Sequence, residues 1–571
     1  MTSRAAVARN APSLHSSLVR KLHDAVAAQR AGHVEKAAGL YTAILRKRPN
    51  EFNALHMLGL LEYQRGRLPQ AIKLIKAALQ SDAKSVDAWS NLGLVFHAQG
   101  DYAQALSSFD RALALKPDHA EVLNNRGTAL NCLGRHEDAL ESFARAAALR
   151  PDHIFARFNH GSTLLGLGRF AEALASFEAT LVLAPDHADT LCHRGNVLMK
   201  LNRIEEAFAS FTQALSFAPD HPQILQNRTV ALRHLGRPRD ALASAEQALR
   251  ARPGYAAARF EQAIALLALG DFERGFAAYE SRWALAEFEP QWRNFAGPHW
   301  RGEQDVAGKT VLLHCEQGYG DTLQFVRYVP LLAERGATVI LEVQARLKAV
   351  LSQIAGAAMV IARGDPLPPF DLYCPLMSLP LAFGTRPETV PAHVPYVTAD
   401  RERAAHWSAR LSDFAGKTKI GLVWAGNADA VAIDTRRSMS LTHFAPLAGM
   451  AGIQFFGLQK GEPAAQARHP PEGLALTDFS GELHGFEDTA ALIANLDLVI
   501  SVDTAVAHLA GAMAKPVWIL SRLDGCWRWL DHRNDSPWYP TARLFHQKTP
   551  GDWDEVVTRV HGALSRRDFA A

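Results

Sequence analysis

The chain has 571 residues, too many for one compact core, since domains average about 150 residues. Hydrophobic residues make up 48% and charged residues 21%, which excludes a disordered or fibrous chain. A formal net charge of +3 without long runs of one sign disfavours nucleic acid as a partner. Five scattered cysteines without C-x-x-C spacing and the lack of an apolar run of about 18 residues predict no disulfides, no zinc site and no membrane span. The expected location is cytoplasmic.

The segment 1–16 is interpreted as a flexible leader, because no apolar signal core follows its basic residues. From 17 to 285 the sequence repeats with a period of about 34 residues. Glycines in one series let paired helices approach closely, glycines seven positions later supply the turn, and prolines mark helix ends. The first series is Gly59, Gly93, Gly127, Gly161 and Gly195, and the second includes Gly66, Gly100, Gly134, Gly168 and Gly236. The pattern predicts an α-solenoid of about eight stacked units with a concave face.

This pattern resembles the tetratricopeptide repeat family over nearly half of the chain. Asparagines stand two positions before the first-series glycine, namely Asn91, Asn125, Asn159 and Asn227. An asparagine side chain offers a donor and an acceptor to a peptide group. The row is similar to the asparagine ladder of O-GlcNAc transferases, which implies acceptor-peptide binding. The alternative is that these side chains are solvated or tie neighbouring helices together, and the sequence favours neither.

Histidines recur with the same period at His119, His153, His187 and His221, inside Pro-Asp-His turns. Their spacing brings no three ligands to one place, as a metal site requires. A role in the turn and the helix start is therefore predicted.

A different pattern begins after a linker at 286–308. Short apolar runs alternate with helical stretches, which predicts two lobes of doubly wound parallel sheets, at 309–411 and 412–571. The first lobe is predicted to contain strands at 310–315 and 338–343 and helices at 321–334 and 345–354. The second is predicted to contain strands at 419–424, 453–458, 474–479, 497–502 and 516–520, with helices at 399–411 and 552–564 flanking it.

Two predicted strand ends run straight into helices, where open α/β sheets bind ligands. The first carries Gln317, Gly318, Gly320 and Asp321. It is neither a complete dinucleotide fingerprint nor a P-loop. Asp321 is either a general base or an ordinary helix cap.

The second strand end carries Asp503, Thr504, Ala505 and Val506, followed one turn later by His508. Asp503 and Thr504 are expected to cap the helix and to leave the amides around 504–506 for an anion. His508 is interpreted either as a phosphate contact or as packing beneath the loop.

Further polar residues follow neighbouring strands. Arg436 and Arg437 are predicted to supply cationic charge to a diphosphate. Lys460 follows another strand end, and Glu462 is either a ribose ligand or a surface carboxylate.

Residues 309–565 resemble the glycosyltransferases of the lipopolysaccharide heptosyltransferase type, family 9, which have the GT-B fold. The resemblance implies that the first lobe takes the acceptor and the second the nucleotide-sugar. It also implies that Asp321 is the general base and that the helix start at Asp503 holds the donor diphosphate. Ala505 departs from the glycine common in heptosyltransferases, which leaves the donor open.

The predicted function is metal-independent, inverting transfer of a sugar from a nucleotide-sugar to a hydroxyl of a protein acceptor captured by the repeats. Family analogy makes flagellin-like or other exported proteins candidate acceptors. No cofactor and no metal are predicted, because the D-x-D at Asp552 and Asp554 begins a helix, where acids suit the dipole. The alternatives are a catalytically silent adaptor and a saccharide or lipid-core glycosyltransferase.

Overall fold

The computed structural model of the chain describes residues 14–426 and 436–569. The chain divides into two compact units, residues 1–217 and 218–571. Of the predicted leader, residues 1–13 lie outside the described residues. The predicted fold class, helical repeats followed by parallel sheets that helices cover, is confirmed.

The first unit contains six helical hairpins in its described part. Short turns join its helices, each of which makes between three and five turns. They are α1 (Leu14–Arg30), α2 (Val34–Lys47), α3 (Phe52–Gln64), α4 (Leu68–Ser81), α5 (Val86–Gln99), α6 (Tyr102–Leu115), α7 (Ala120–Cys132), α8 (His136–Leu149), α9 (Ile154–Gly166), α10 (Phe170–Leu183), α11 (Ala188–Lys200) and α12 (Ile204–Phe217).

Within these repeats the paired helices close on the glycines of the first series. A Cβ at Gly93 would lie 2.5 Å from the ring of Phe109, and one at Gly127 would lie 2.6 Å from Phe143. Both rings are completely buried. The predicted close approach of the two helices at these glycines is confirmed.

Turns and helix starts also follow the sequence pattern. The second-series glycines have positive φ, for example 83° at Gly100, where a side chain would be strained. His153, His187 and His221 precede α9, α11 and α13 (Pro222–His234), and the Nδ1 of each accepts a hydrogen bond from the amide three positions on. The helix-start interpretation is confirmed for these three, whereas His119 makes no such bond.

The second unit begins with two more hairpins and continues into two parallel sheets. The helices of the hairpins are α13, α14 (Pro238–Ala251), α15 (Ala256–Ala268) and α16 (Phe272–Tyr279).

Sheet A has four strands in the order β3-β2-β1-β4, with Leu312 of β1 opposite Ile340 of β2 and Tyr373 of β4. Its strands are β1 (Thr310–His314), β2 (Thr338–Val343), β3 (Ala357–Ala362) and β4 (Leu372–Pro375). Its helices are α17 (Tyr319–Phe325), α18 (Val329–Glu334), α19 (Lys348–Leu351) and α20 (Leu379–Ala382).

Sheet B has six strands in the order β10-β9-β8-β5-β6-β7, with Gly421 of β5 opposite Val499 of β8. Its strands are β5 (Thr418–Val423), β6 (Ile453–Gly457), β7 (Leu476–Asp478), β8 (Leu498–Val502), β9 (Val517–Ser521) and β10 (Ala542–His546). The helices in and before this part are α21 (Arg401–Arg410), α22 (Phe486–Ala494), α23 (Ala505–Ala512) and α24 (Trp553–Ser565).

Some predicted elements are wrong in detail. The helix predicted at 321–334 is interrupted by a 3-10 turn at 326–328 before α18, whose Pro330 lacks the amide that a continuous helix needs. The helix predicted at 345–354 shrinks to a 3-10 turn followed by α19. Strands β3, β4 and β10 have no counterpart among the predicted elements.

The last repeat shares its core with the sheets. Phe272 stacks on Trp538 with ring centroids 5.7 Å apart, and Phe276 meets Trp527 edge-on at the same distance. The amide of Asp531 donates to the carbonyl of Ala268 at 2.8 Å. In the described part of the chain, no helix combines the length and the apolar character needed to cross a membrane.

Candidate active site

The predicted loops gather at the points where strand order reverses in the two sheets. In sheet A this point lies between β1 and β4, and in sheet B it lies between β5 and β8. Open parallel sheets leave a crevice there, outside the carboxyl ends of the strands. The segments that follow β1, β5 and β8 carry most of the predicted site residues.

Hydrogen bonds on both sides hold the glycine-rich loop after β1. The side-chain amide of Gln344, beyond β2, donates to the carbonyl of Gln317 at 2.7 Å and accepts from the hydroxyl of Thr322 at 2.9 Å. The Gln317 side chain bonds the Tyr279 hydroxyl at 3.0 Å. The last repeat helix, α16, therefore contacts this loop directly.

Gly320 brings the two lobes together. A Cβ at this position would lie 2.7 Å from Cδ2 of His508 and 3.6 Å from the Cα of Ala505. Only a residue without a side chain allows α17 to pack so closely against the start of α23. The loops that follow β1 and β8 are thus in contact.

Asp321 is the third residue of α17 and not its N-cap, which is Gly318. Its Oδ2 accepts from the amide of Gly318 at 2.9 Å. Its Oδ1 forms an ion pair with Arg528, whose guanidinium lies 4.4 Å from the ring of Trp527. The side chain of Asp321 is 21% exposed, and each carboxylate oxygen has a second lone pair for a substrate hydroxyl.

The start of α23 lies next to the loop of Asp321 and has free backbone amides. Thr504 is the N-cap residue, but the expected side-chain cap is wrong, because its hydroxyl bonds that of Ser501 at 2.9 Å. Within the described residues, the amides of Ala505 and Val506 have no hydrogen-bond acceptor. Such amides, together with the helix dipole, favour an anion. Asp503, a fifth exposed, points an oxygen toward Nε2 of His508 at 3.9 Å.

His508 is buried beneath the loop. Its Nδ1 bonds the hydroxyl of Tyr539 at 3.0 Å, and its ring stacks on Trp529 with centroids 5.2 Å apart. Burial, together with the charges of Arg528 and other nearby arginines, holds the pKa of His508 well below its usual value. The imidazole is therefore neutral at physiological pH.

Arg436 and Arg437 occupy different surroundings. Arg437 lies close enough to His508 to influence the pKa of that histidine. The guanidinium of Arg436 binds Oδ2 of Asp524 at 3.0 Å and also contacts His234. Burial lowers the pKa of Arg436 to about 10, which still leaves it charged.

Lys460 and Glu462 are not brought into this group. The ammonium of Lys460 donates to the carbonyls of Ser480 at 2.7 Å and Leu483 at 2.6 Å, and so ties down the loop after β7. Glu462 is exposed at the start of a 3-10 helix, 462–468.

Behind the glycine-rich loop lies a buried ion network. The guanidinium of Arg282 binds Glu316 at 3.0 Å and the hydroxyl of Ser378 at 2.8 Å, and it also pairs with Glu280. Burial raises the pKa of Glu316 to about 7 and that of Tyr279 to about 12. This network fixes the backbone from which Asp321 projects.

The asparagines of the repeats are half-buried and make contacts within the solenoid. Asn91 bonds Nε2 of His56 at 3.0 Å, and Asn159 donates to Asn124 at 3.0 Å, in each case across to the preceding repeat. Asn125 accepts from Asn124 at 3.4 Å, and Asn227 also has an interaction partner. These bonds correspond to the tying of neighbouring helices, and peptide binding by the same residues stays a prediction.

Sequence reasoning missed four residues of the site. Arg522 and Asp524 directly follow β9, so the strand-end rule used for Asp503 would have found them. Arg528 and His234 carry no local signal, because each meets a partner that is distant in sequence. Among residues 14–426 and 436–569, no cluster of three His, Cys, Asp or Glu side chains is arranged to hold a metal ion.

Comparison with known families finds matches in the repeats and in sheet B. Tetratricopeptide repeat models match residues 59–100, 85–152, 118–186, 158–222 and 230–290. The model of glycosyltransferase family 9 (heptosyltransferase) matches residues 443–520, which include most of sheet B. The chain therefore carries tetratricopeptide repeats followed by a glycosyltransferase family 9 domain.

Among curated proteins, FlbA of Caulobacter vibrioides is 29% identical over 334 residues, which cover 53% of this chain and 54% of FlbA. The chain thus spans about half the length of that relative. Among solved structures, pilF of Pseudomonas aeruginosa is 26% identical, with 37% of this chain and 96% of that chain covered and a TM-score of 0.34. The tetratricopeptide repeat protein TTC0263 of Thermus thermophilus is 27% identical, with 32% and 100% covered and a TM-score of 0.28.

Proposed function

We propose that the chain is a GT-B glycosyltransferase that moves a sugar from a nucleotide-sugar to a hydroxyl of a protein acceptor, by direct displacement and without a metal ion. The acceptor is a protein captured by the repeats, because repeats of this type mostly present a surface to a protein partner. The family 9 domain supports the sugar transfer itself.

One observation carries the proposal. Gly320, the neighbour of Asp321, lies against His508 and Ala505 at the start of α23, and this contact supports a site shared by the carboxylate and the free amides. In this proposal Asp321 takes the proton of the acceptor hydroxyl. The amides of Ala505 and Val506 hold the diphosphate that leaves with negative charge.

Arginines do the work that a divalent cation does in other transferases. Arg436 and Arg437 lie in the segment that follows β5, and Arg522 and Arg528 lie in the segment that follows β9. Asp524 and Asp321 are the carboxylates paired to three of these arginines. The excess of positive charge suits a nucleoside diphosphate.

The test has two steps. Purified full-length protein is screened with a panel of nucleotide-sugars, and the donor is expected to raise the melting temperature, as any ligand of the native state does. Candidate exported proteins are then co-expressed with the wild type or with Asp321→Asn, and their intact masses are measured. The wild type is expected to add sugar and Asp321→Asn to add none.

A matched control replaces the exposed carboxylate Asp554, which pairs with His443 and lies 77% exposed at the start of α24. The variant Asp554→Asn is expected to modify acceptors as the wild type does. Activity retained in Asp321→Asn, or no response to any nucleotide-sugar, would count against the proposal.

A silent adaptor is the second candidate, and a specific observation favours it. Both carboxylate oxygens of Asp321 already have protein partners, the amide of Gly318 and the guanidinium of Arg528. In an adaptor this carboxylate would only stabilise the loop. Such a protein would leave acceptor masses unchanged and would keep its partner binding after Asp321→Asn.

A further inference from the structure

A repeat helix reaches into the donor side of the site. His234 is the last residue of α13, and its side chain is 9% exposed. Its Nδ1 lies 2.7 Å from Oδ2 of Asp524, which is itself 6% exposed. Burial lowers the pKa of His234 to about 4, so the ring is neutral. Of its two neutral tautomers, the one with the proton on Nδ1 is the one that can donate to the carboxylate.

Asp524 is the centre of a small network. Its Oδ2 accepts from both His234 and Arg436, the latter at 3.0 Å, and its Oδ1 binds Nε of Arg522 at 2.9 Å. Burial alone would raise the pKa of Asp524, but the bond from His234 and the two guanidinium groups bring that pKa below its usual value. The carboxylate is therefore charged and holds both arginines.

The loop that carries Asp524 rests on the repeats. At Gly236, two positions beyond α13, a Cβ would lie 3.3 Å from the side chain of Leu523. The same loop ends where the amide of Asp531 binds the carbonyl of Ala268 in α15. The position of the loop is thus set by α13 and α15 and not by sheet B alone.

One donor in this network has no protein partner. Within the described residues, Nη1 of Arg522 is buried without a hydrogen-bond acceptor. A buried guanidinium nitrogen left unpaired is costly, and an anionic oxygen at the carboxyl edge of the sheet would satisfy it.

Resting on the proposed function, we infer that His234 is a positioning residue for the donor diphosphate. It fixes the carboxylate of Asp524, and this carboxylate aligns Arg436 and Arg522 with the anion. Without the donor at Nδ1, only the two guanidinium groups would hold the carboxylate of Asp524, and its orientation would be less strictly fixed. The seventh helical hairpin of the chain would then be part of the transferase site.

Substitutions at one position separate the hydrogen bond from the bulk of the ring. His234→Asn places an amide donor where Nδ1 stands, whereas His234→Phe keeps a ring and loses the donor. Inorganic pyrophosphate serves as the probe, and its affinity for full-length protein is measured by calorimetry. We expect His234→Phe to weaken binding about tenfold, the usual effect of losing one hydrogen bond to a charged group, and His234→Asn to bind within about threefold of the wild type.

The matched control is His221→Ala at the other end of α13, where Nδ1 accepts from the amide of Ile224 at 3.4 Å. It weakens the same helix without touching Asp524, so its pyrophosphate affinity is expected to equal that of the wild type. If the phenylalanine variant does not fold, His234→Gln replaces it. The glutamine amide mimics Nε2 and not Nδ1, so this variant is expected to bind pyrophosphate as weakly as His234→Phe.

The outcomes are distinct. Wild-type affinity in His234→Phe, or equal losses in the Phe and Asn variants, would overturn the positioning role. Loss of pyrophosphate binding in Arg436→Ala would show that the donor site itself is still correctly assigned in that case. No binding of pyrophosphate by the wild type would instead contradict the proposed function itself.

Discussion

The ion pair between Asp321 and Arg528 allows the proposed catalytic role of this carboxylate to be separated from its structural role. Asp321→Asn keeps an oxygen for the amide of Gly318 but leaves the guanidinium of Arg528 buried without its counter-charge. Adding Arg528→Met removes the unpaired charge and leaves an apolar chain beside Met377, whose sulfur lies 3.9 Å from the guanidinium.

The structure sets the size of the effect. Breaking a buried ion pair costs about 3–5 kcal/mol, and the 21% exposure of Asp321 reduces this to about 2–3 kcal/mol for Asp321→Asn. The double variant is expected to lie within about 1 kcal/mol of the wild type, since apolar replacement of both partners is often neutral. Transfer is expected to fall about 10²- to 10⁴-fold in both variants, because neither has a general base.

Urea unfolding followed by circular dichroism gives the stabilities, and intact-mass analysis of the acceptor gives the transfer rates. The reasoning fails if the double variant regains both its stability and its transfer. In that case Asp321 would only neutralise Arg528, and the base would have to be sought elsewhere.

Three further predictions follow from single contacts. Gly127→Ala forces a Cβ to within 2.6 Å of the Phe143 ring and is expected to cost about 1–3 kcal/mol of unfolding free energy, measured by urea unfolding. Lys460→Met loses two bonds to carbonyls and is expected to cost about 1 kcal/mol and to speed amide exchange after β7, with pyrophosphate affinity unchanged. The pKa of His508 is lower in the folded than in the unfolded chain, so the unfolded chain binds a proton first as the pH falls below about 6.5, and stability is lost. Between pH 7 and 5 the wild type is therefore expected to lose more unfolding free energy than His508→Gln.

The glycine prediction has a control in the chain, and each of the other two has an outcome that would refute it. Gly39→Ala in α2 meets nothing within 4 Å and is expected to be neutral or stabilising, so an equal loss there would refute the packing argument for Gly127. Equal losses of stability in the wild type and in His508→Gln between pH 7 and 5 would refute the argument for His508. A drop in pyrophosphate affinity in Lys460→Met would instead support the sequence prediction that Lys460 contributes to the donor site.

The sequence predicts the repeats well because their signals are local and repeated. A glycine that must face a ring, as Gly93 faces Phe109, recurs in one repeat after another, and the turn glycines recur with it. Strands β3 and β10 have no such signal. β3 is an edge strand with exposed residues at Ala358 and Met359, so its pattern does not resemble that of the buried strands beside it.

The sequence predicts the site residues that directly follow strands, but not the residues that reach the site from elsewhere in the chain. The rule that ligands bind at the carboxyl ends of parallel strands points to both the loop of Asp321 and the start of α23, and Gly320 of that loop lies against Ala505 and His508. It does not reveal which charges pair, because pairing depends on packing between distant segments. Arg528 and Arg436 therefore acquire their partners, Asp321 and Asp524, only in the folded chain.

The compact unit that holds both sheets begins at residue 218, well before the point where the repeat pattern stops. The reason is chemical as much as topological. Helices α13 to α16 keep the repeat spacing. Residues that a repeat would leave to solvent or to a neighbouring repeat instead bind the loops of the two sheets: His234 binds Asp524, and Tyr279 binds Gln317. Trp527 is buried because Phe276 and Tyr279 cover it. The two sheets, cut free of these two hairpins, would expose that tryptophan and leave Asp524 one hydrogen bond short, so these repeats are expected to be needed for the stability of the segments after β9.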